Sequence, residues 1–309
     1  MTNIFKGEHF TDKAKQAKFI PNIAIIIILF FLVYYLGNII YSIPLVIIQF
    51  SLAEIDTTSG AAVLNFSGNN ADWFIAWRLL LTIIPAAVVV VFCRFIEKRS
   101  LESMGLKKEK LLPNYAIGLV IGFAAYSATL GMTILAGAAN YEGEAFRNPL
   151  IYFLICIGWI IQGAEEEIVC RGYLMSSLST KIPLWAAVLI SSAAFGAMHI
   201  FNAGFTILAC VNITLVGIML ALVSIRFDSL IPSCAIHSVW NWAQGNFYGM
   251  PVSGTLSGPS VMKFYLPEGM ELWTGGEFGI ESGLGATIVI TAICAALLLI
   301  PQRSKAAKI

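Results

Sequence analysis

Pro149-Leu-Ile-Tyr-Phe-Leu-Ile-Cys-Ile-Gly-Trp-Ile-Ile-Gln-Gly-Ala-Glu-Glu-Glu-Ile-Val-Cys-Arg171 is the stretch that decides the fold. It opens as the apolar run Pro149–Ile161 and becomes, without a break, a cluster of three carboxylates followed by a guanidinium. An ionisable side chain at bilayer depth costs roughly 2.5 kcal/mol or more, so such residues in an apolar span mark a functional site with partners elsewhere. Those partners are few. The chain has three histidines, and two of them, His199 and His237, also lie in apolar stretches. These stretches are expected to converge on one site.

The whole composition agrees with a membrane chain. Hydrophobic residues make up 58% of the 309 residues and charged ones 12%, with a mean hydropathy of +0.80. That balance excludes the soluble globular class, and the apolar runs reach the ~20 residues a helix needs to cross a bilayer. The expected architecture is all-α: one polytopic helical bundle over residues 1–309, in the cell membrane, with the lipid bilayer as its surroundings and no nucleic-acid partner. The six cysteines sit in or beside apolar runs, with no CxxC spacing, and read as small core residues.

Eight spans follow from the pattern. The tail Met1–Lys18 is polar and basic, and Ile23 to about Leu52 is too long for a signal-peptide core, so it is an uncleaved first span that tilts or kinks at Pro44. The second span, Trp73–Phe95, carries Arg78 near its start, read as a snorkelling anchor or packing residue rather than a catalytic one. Arg94–Lys110 is the most basic connection and reads as a retained loop that fixes orientation, with an interfacial amphipathic segment as the other reading. Further spans are Tyr115–Ala138, the run from Pro149 continuing to Leu178, Leu184–Ile200, Phe205–Ile225, Leu230–Tyr248 and Leu284–Ile300. No internal repeat is visible, so the inverted-repeat signature of many transporters is missing.

Charge sets the orientation. The tail, Arg94–Lys110, Arg171 with Lys181, Arg226, Arg303, Lys305 and Lys308 alternate along the chain so as to share one face. The other face has only Arg147 and Lys263, and it collects Glu54, Asp56, Asp72, Glu142, Glu144, Glu268, Glu271, Glu277 and Glu281. The positive-inside rule then puts both termini in the cytoplasm.

Within the cluster, Glu167 and Arg171 are four apart on a helix and can pair. Glu166 is rotated by about 100° from Glu167 and shares that partner less easily. A carboxylate without an ion-pair partner in a low-dielectric site suits a general base working near neutrality. Glu165 has no assigned partner. Glu166 and His199 lie at nearly equal sequence distance from the turn at Pro183, which in an antiparallel hairpin gives them equal height and makes them a pair that can activate water. Phe195, one turn before His199, packs beside it. His237 and Asn241 share a face of the seventh span and both donate into one space, as a side-chain oxyanion hole would. Trp240 and Trp242 flank that pair as packing residues. Glu166 lies close to the basic face while His199 lies far along its span, and the two fit together only if the hairpin projects beyond the membrane on the cytoplasmic side.

Three motifs now stand together. Glu166-Glu-Ile-Val-Cys-Arg171 fits E-E-x-x-x-R, Phe195-Gly-Ala-Met-His199 fits F-x-x-x-H and His237-Ser-Val-Trp-Asn241 fits H-x-x-x-N. In that order, over about residues 115–248, the chain resembles the CAAX protease and bacteriocin-processing family, which includes the type II CAAX prenyl endopeptidases. The resemblance implies a metal-independent, glutamate-dependent intramembrane endopeptidase acting on a membrane-associated peptide or protein. Glu166 and His199 would activate water, His237 and Asn241 would stabilise the oxyanion, and Glu167, Arg171 and Phe195 would support the site. It also implies a cavity opening towards the cytoplasm and membrane. No cofactor is expected. A zinc peptidase using the carboxylate and two histidines is the weaker mechanism, since H-E-x-x-H is absent. A proton-coupled transporter and a non-catalytic scaffold or immunity protein are the readings from other classes. The segment Gly249–Gly283 could gate or recognise a substrate.

Overall fold

The computed structural model describes residues 4–5, 9–56, 63–65, 69–144, 148–255 and 258–301. Lys6, Arg147, Arg303, Lys305 and Lys308, counted above for orientation, lie outside the described residues. The longer helices of the described chain are α1 (Ile23–Leu52), α2 (Asn69–Leu80), α3 (Ile83–Val91), α4 (Leu111–Leu135), α5 (Pro149–Glu167), α6 (Leu184–Ala197), α7 (Ile207–Phe227), α8 (Ile231–Trp242) and α9 (Leu284–Leu299). Local chemistry sets their ends. The Asn22 side chain accepts from Ile25 N, Asn148 accepts from Leu150 N and Ile151 N beside Pro149, and Thr206 accepts from Ala209 N.

The structure is a helical bundle with little sheet. Four helical stretches are long and apolar enough to cross a membrane: Ile23–Leu52, Asn69–Ile96, Leu111–Leu135 and Ile207–Phe227. Leu184–Ala197 and Leu284–Leu299 are shorter apolar helices. The stretch expected as one second span begins earlier, at Asn69, and is interrupted at Leu81–Thr82 between α2 and α3. Pro85 has no N–H to continue the ladder there, and the Thr82 hydroxyl bonds back to Leu79 O. α5 runs on as expected to Leu178, through a wider π-helical segment at Ile168–Met175.

The connections sort onto two ends of the bundle. At one end the short helical turn Phe10–Gln16 packs on the turn Leu101–Met104, with Phe10 N donating to Asp228 Oδ1 at 2.6 Å and Lys107 paired to Asp228 at 2.6 Å. Arg226 donates to the carbonyls of Leu297 and Ile300 there. These segments carry basic residues, among them Lys13, Lys15, Lys107 and Arg226. The Arg94–Lys110 connection proves to be more than an orienting loop. Arg99 is buried and donates to Glu97, Ser103, Ser176 and Ser177, which fastens the tip of the α5–α6 hairpin.

At the other end lie β1 (Glu54–Asp56) paired with β2 (Val63–Asn65), and β3 (Asn140–Glu144) paired antiparallel with β4 (Met262–Tyr265). The long segment after α8 folds across this end as a strap. Gln244 Nε2 donates to Pro251 O, Asn246 Nδ2 to Pro259 O, and Gly254 N to Phe278 O.

Candidate active site

α5 and α8 cross at backbone distance. A Cβ on Gly163 would lie 2.6 Å from Ser238 N and 2.9 Å from Ser238 Cα, so only glycine permits this approach. The crossing sets the carboxylates of α5 against the face of α8 that carries His237 and Asn241.

Glu167 is the last residue of α5, and Arg171 stands one turn on, in the π-helical segment. Arg171 Nη1 donates to Glu167 Oε1 at 2.8 Å, and both side chains are fully buried. Arg171 Nε and Nη2 find no hydrogen-bond acceptor among the described residues. The guanidinium instead lies over the Phe195 ring, 4.5 Å from its centroid, a contact whose attraction strengthens when desolvated. Gly217 leaves the room, since a Cβ there would stand 3.1 Å from Arg171 Nη2. Phe195 also meets His199 and His237 edge-on, at 5.0 and 5.9 Å between centroids. It touches three of the motif side chains at once.

His237 joins the two neighbouring carboxylates. Its Nδ1 is 3.0 Å from Glu167 Oε1, and its Nε2 is 3.3 Å from Glu166 Oε2. Glu167 Oε1 therefore accepts from both Arg171 and His237, which assigns a proton to Nδ1 and leaves Nε2 facing Glu166. Asn241 Nδ2 donates to Gln162 Oε1 at 2.9 Å, with a second N–H on the same nitrogen for a ligand.

His199 stands just beyond the end of α6, in a turn, rather than inside a longer helix as its apolar surroundings suggested. Its Nδ1 is 2.9 Å from Phe195 O. A carbonyl only accepts, so Nδ1 carries the proton and the neutral ring keeps its lone pair on Nε2. Glu166, His199, His237 and Asn241 all line one cavity of about 240 Å³, so the three motifs do converge. The imidazole nearest Glu166, however, is that of His237 rather than His199. Equal height along a hairpin fixes depth but not which side chains touch.

Glu165, left unassigned in the sequence, lines the same cavity opposite Tyr34, Asn38 and Tyr41 of α1. Arg78 lines it too, with Tyr41 Oη donating to Arg78 O, instead of reaching out as an anchor. Trp240 packs edge-on to Tyr126. Three further wall residues escaped the sequence reading. Gln162 lies four residues before Glu166 on the same helix face, and that spacing could have revealed it. Ser253 and Glu281 come from the strap, where no periodicity marks them. Among the described residues no group of three His, Cys, Asp or Glu side chains is arranged to hold a metal ion.

Part of the cavity wall comes from loops. Its loop-derived wall residues, Asn202, Val252, Ser253, Thr255 and Glu281, belong to the turn after α6 and to the strap, at the end opposite the basic segments. At the basic end, the tip of the hairpin is packed by Phe10–Gln16 and the Arg99 network. Beside the cavity, sharing Trp159 with it, is an apolar groove of about 560 Å³ between α4, α5 and α8, lined by Val120, Phe123, Val239 and Trp242 among others.

Residues 148–243 match the family model described as Type II CAAX prenyl endopeptidase Rce1-like. The match holds all seven motif residues discussed above and bears out the resemblance read from them, over a shorter stretch than 115–248 because α4 lies outside it. It supports a membrane endopeptidase of the CAAX protease type as the class of activity. No curated protein and no solved structure matches the chain.

Proposed function

We propose that the chain is a glutamate-dependent endopeptidase that hydrolyses a peptide bond of a membrane-associated peptide or protein. The observation that carries this reading is the contact of Glu166 with His237 in the wall of a cavity that His199 and Asn241 also line, with the buried Glu167–Arg171 pair held against His237 Nδ1.

The residues divide the work as follows. Water in the cavity donates one proton to Glu166 and is oriented by the free Nε2 lone pair of His199, whose other nitrogen is committed to Phe195 O. The resulting hydroxide attacks the scissile carbonyl carbon. While Glu166 is charged, the Nε2–H of a protonated His237 is turned towards it. Once Glu166 has taken the water proton, that N–H is released to the new oxyanion, with Asn241 Nδ2 as the second donor. Glu166 then returns its proton to the leaving nitrogen, which breaks the C–N bond and balances the step. Glu167, itself held by Arg171, accepts from His237 Nδ1 and keeps the imidazolium in position. The apolar groove beside Trp159 suits a substrate whose chain or anchor stays in lipid.

The remaining architecture is proposed with it: one domain, eight membrane crossings, and the basic end in the cytoplasm. The strap end of the cavity then faces away from the cytoplasm, and substrate approaches from there or from the lipid. A zinc peptidase would use the same side chains as ligands, and chelation distinguishes it. The test is hydrolysis of peptides from a membrane digest by purified protein. Wild type cleaves, and Glu166→Gln and His199→Ala do not. Proton-linked solute uptake lost on the same substitutions would replace this reading with the transporter.

A further inference from the structure

The cavity holds a carboxylate that none of the motifs contains. Glu281 sits in the turn Ile280–Ser282, immediately before α9, and is 3% exposed. Its Oε1 accepts from Ser253 N at 2.5 Å and from Ser253 Oγ at 2.9 Å. Its backbone oxygen accepts from Asn212 Nδ2 at 3.0 Å, which ties the turn to α7. Ser253 has φ +48°, a left-handed conformation that a serine adopts only when its surroundings enforce it. Its contacts enforce it. Besides its two donors to Glu281, Ser253 offers its carbonyl to Asn202 Nδ2 at 2.8 Å, and Asn202 N bonds back to His199 O at 3.0 Å. A continuous chain of hydrogen bonds thus runs from the Glu281 carboxylate through Ser253 and Asn202 to the turn that carries His199. Glu281 and His199 also line the same cavity and interact electrostatically.

We propose that Glu281 is a positioning residue for His199: it fixes the imidazole's turn through Ser253 and Asn202, and its negative charge makes the ring a stronger acceptor for the water it orients. This rests on the reading of His199 as the group whose Nε2 lone pair orients the attacking water. Burial pushes the Glu281 carboxyl up, while the Ser253 donors, His199 and Gln244 pull it down; burial wins, leaving it above the ordinary value of 4.5. The other titratable group facing Glu281 is Tyr126 of α4. Around His199 the cavity presents Arg78 of α2, Glu165 and Glu166 of α5, His237 of α8, and Tyr34 and Tyr41 of α1. Glu281 is the carboxylate that reaches the cavity from the strap, on the side where His199's own turn is anchored.

The experiment measures His199 itself and needs no peptidase activity. Protein carrying imidazole-labelled histidine, in the Glu166→Gln background, is titrated by NMR, with His199 assigned through a His199→Gln sample. Removing a nearby opposite charge lowers a histidine's midpoint by about one pH unit. Glu281→Gln should therefore lower the His199 midpoint by about that much and leave the His237 resonance in place, while Glu281→Asp restores it in part. An unchanged His199 midpoint in a Glu281→Gln protein with native His237 signals overturns the proposal. Should Glu281→Gln not fold, Ser253→Ala, which removes one of the two donors, is expected to lower the midpoint by a smaller amount. No shift there overturns it equally. If His199 shifts but wild-type protein cleaves no peptide, the positioning role stands and the endopeptidase reading fails.

Discussion

Replacing Gly163 by alanine tests the site through its framework, because Gly163 touches no reacting atom. The added Cβ would meet Ser238 N at 2.6 Å, about 0.8 Å short of the 3.4 Å at which ordinary contact begins. The obstacle is α8 backbone, so it cannot swing aside as a side chain would. α5 and α8 must part by most of that distance, carrying Glu166 away from His237 Nε2, which now stands at 3.3 Å. Overpacking of this kind costs about 1–3 kcal/mol of stability. A displacement approaching 1 Å at the chemistry costs about 100-fold in rate, equivalent to about 2.7 kcal/mol of barrier. The assay is paired: unfolding in mixed micelles for stability, and peptide turnover at saturating and limiting substrate for rate. Gly163→Ala should retain most of its fold, lose about two orders of magnitude in kcat/KM, and be worsened by Gly163→Val. Wild-type turnover in Gly163→Ala would refute the idea that the α5–α8 crossing sets the catalytic distances.

Three more outcomes follow from the same geometry. Glu167→Gln strands the buried Arg171 guanidinium and removes a charged acceptor from His237, so stability should fall by about 3–5 kcal/mol, read from denaturant midpoints of the purified variant. Single cysteines at Ser253 and at Lys181, in a background without native cysteines, should divide between the membrane faces: a membrane-impermeant thiol reagent added to intact cells modifies Ser253→Cys and spares Lys181→Cys, and the reverse pattern would invert the orientation. Because Glu281 holds its proton more tightly folded than unfolded, its contribution to stability is complete below its ordinary value of 4.5 and is lost as pH rises through the folded value. Thermal midpoints against pH should therefore decline less steeply in Glu281→Gln than in wild type.

Much of this was legible in the chain because helical periodicity is local. The apolar run Ile23–Leu52 and the continuation of α5 to Leu178 appear as read, since length, caps and the proline at 183 set them. The Glu167–Arg171 pair was readable because four-residue spacing brings side chains together on a helix whatever surrounds it. The convergence of the three motifs on one cavity also followed from their occurrence on separate apolar spans. Contacts between helices were not readable. That His237 rather than His199 lies nearest Glu166 depends on the close α5–α8 crossing, for which the only sequence trace is a glycine at position 163. Arg78 was read as an anchor or a packing residue because its position near a span's start suits snorkelling; it proves to line the cavity beside α1. Ser253 and Glu281 were out of reach for a different reason. They act through a turn geometry in an irregular strap, where neither spacing nor composition distinguishes a buried carboxylate from the solvated acids around it.

The most direct measurement is peptide hydrolysis by purified wild-type and Glu166→Gln protein, each assayed with and without a strong chelator. The account predicts turnover by the wild type that the chelator leaves unchanged, and a loss of at least about 100-fold in Glu166→Gln, as expected when a general base is removed. Full activity in Glu166→Gln, or wild-type activity abolished by the chelator and restored by zinc, would contradict it.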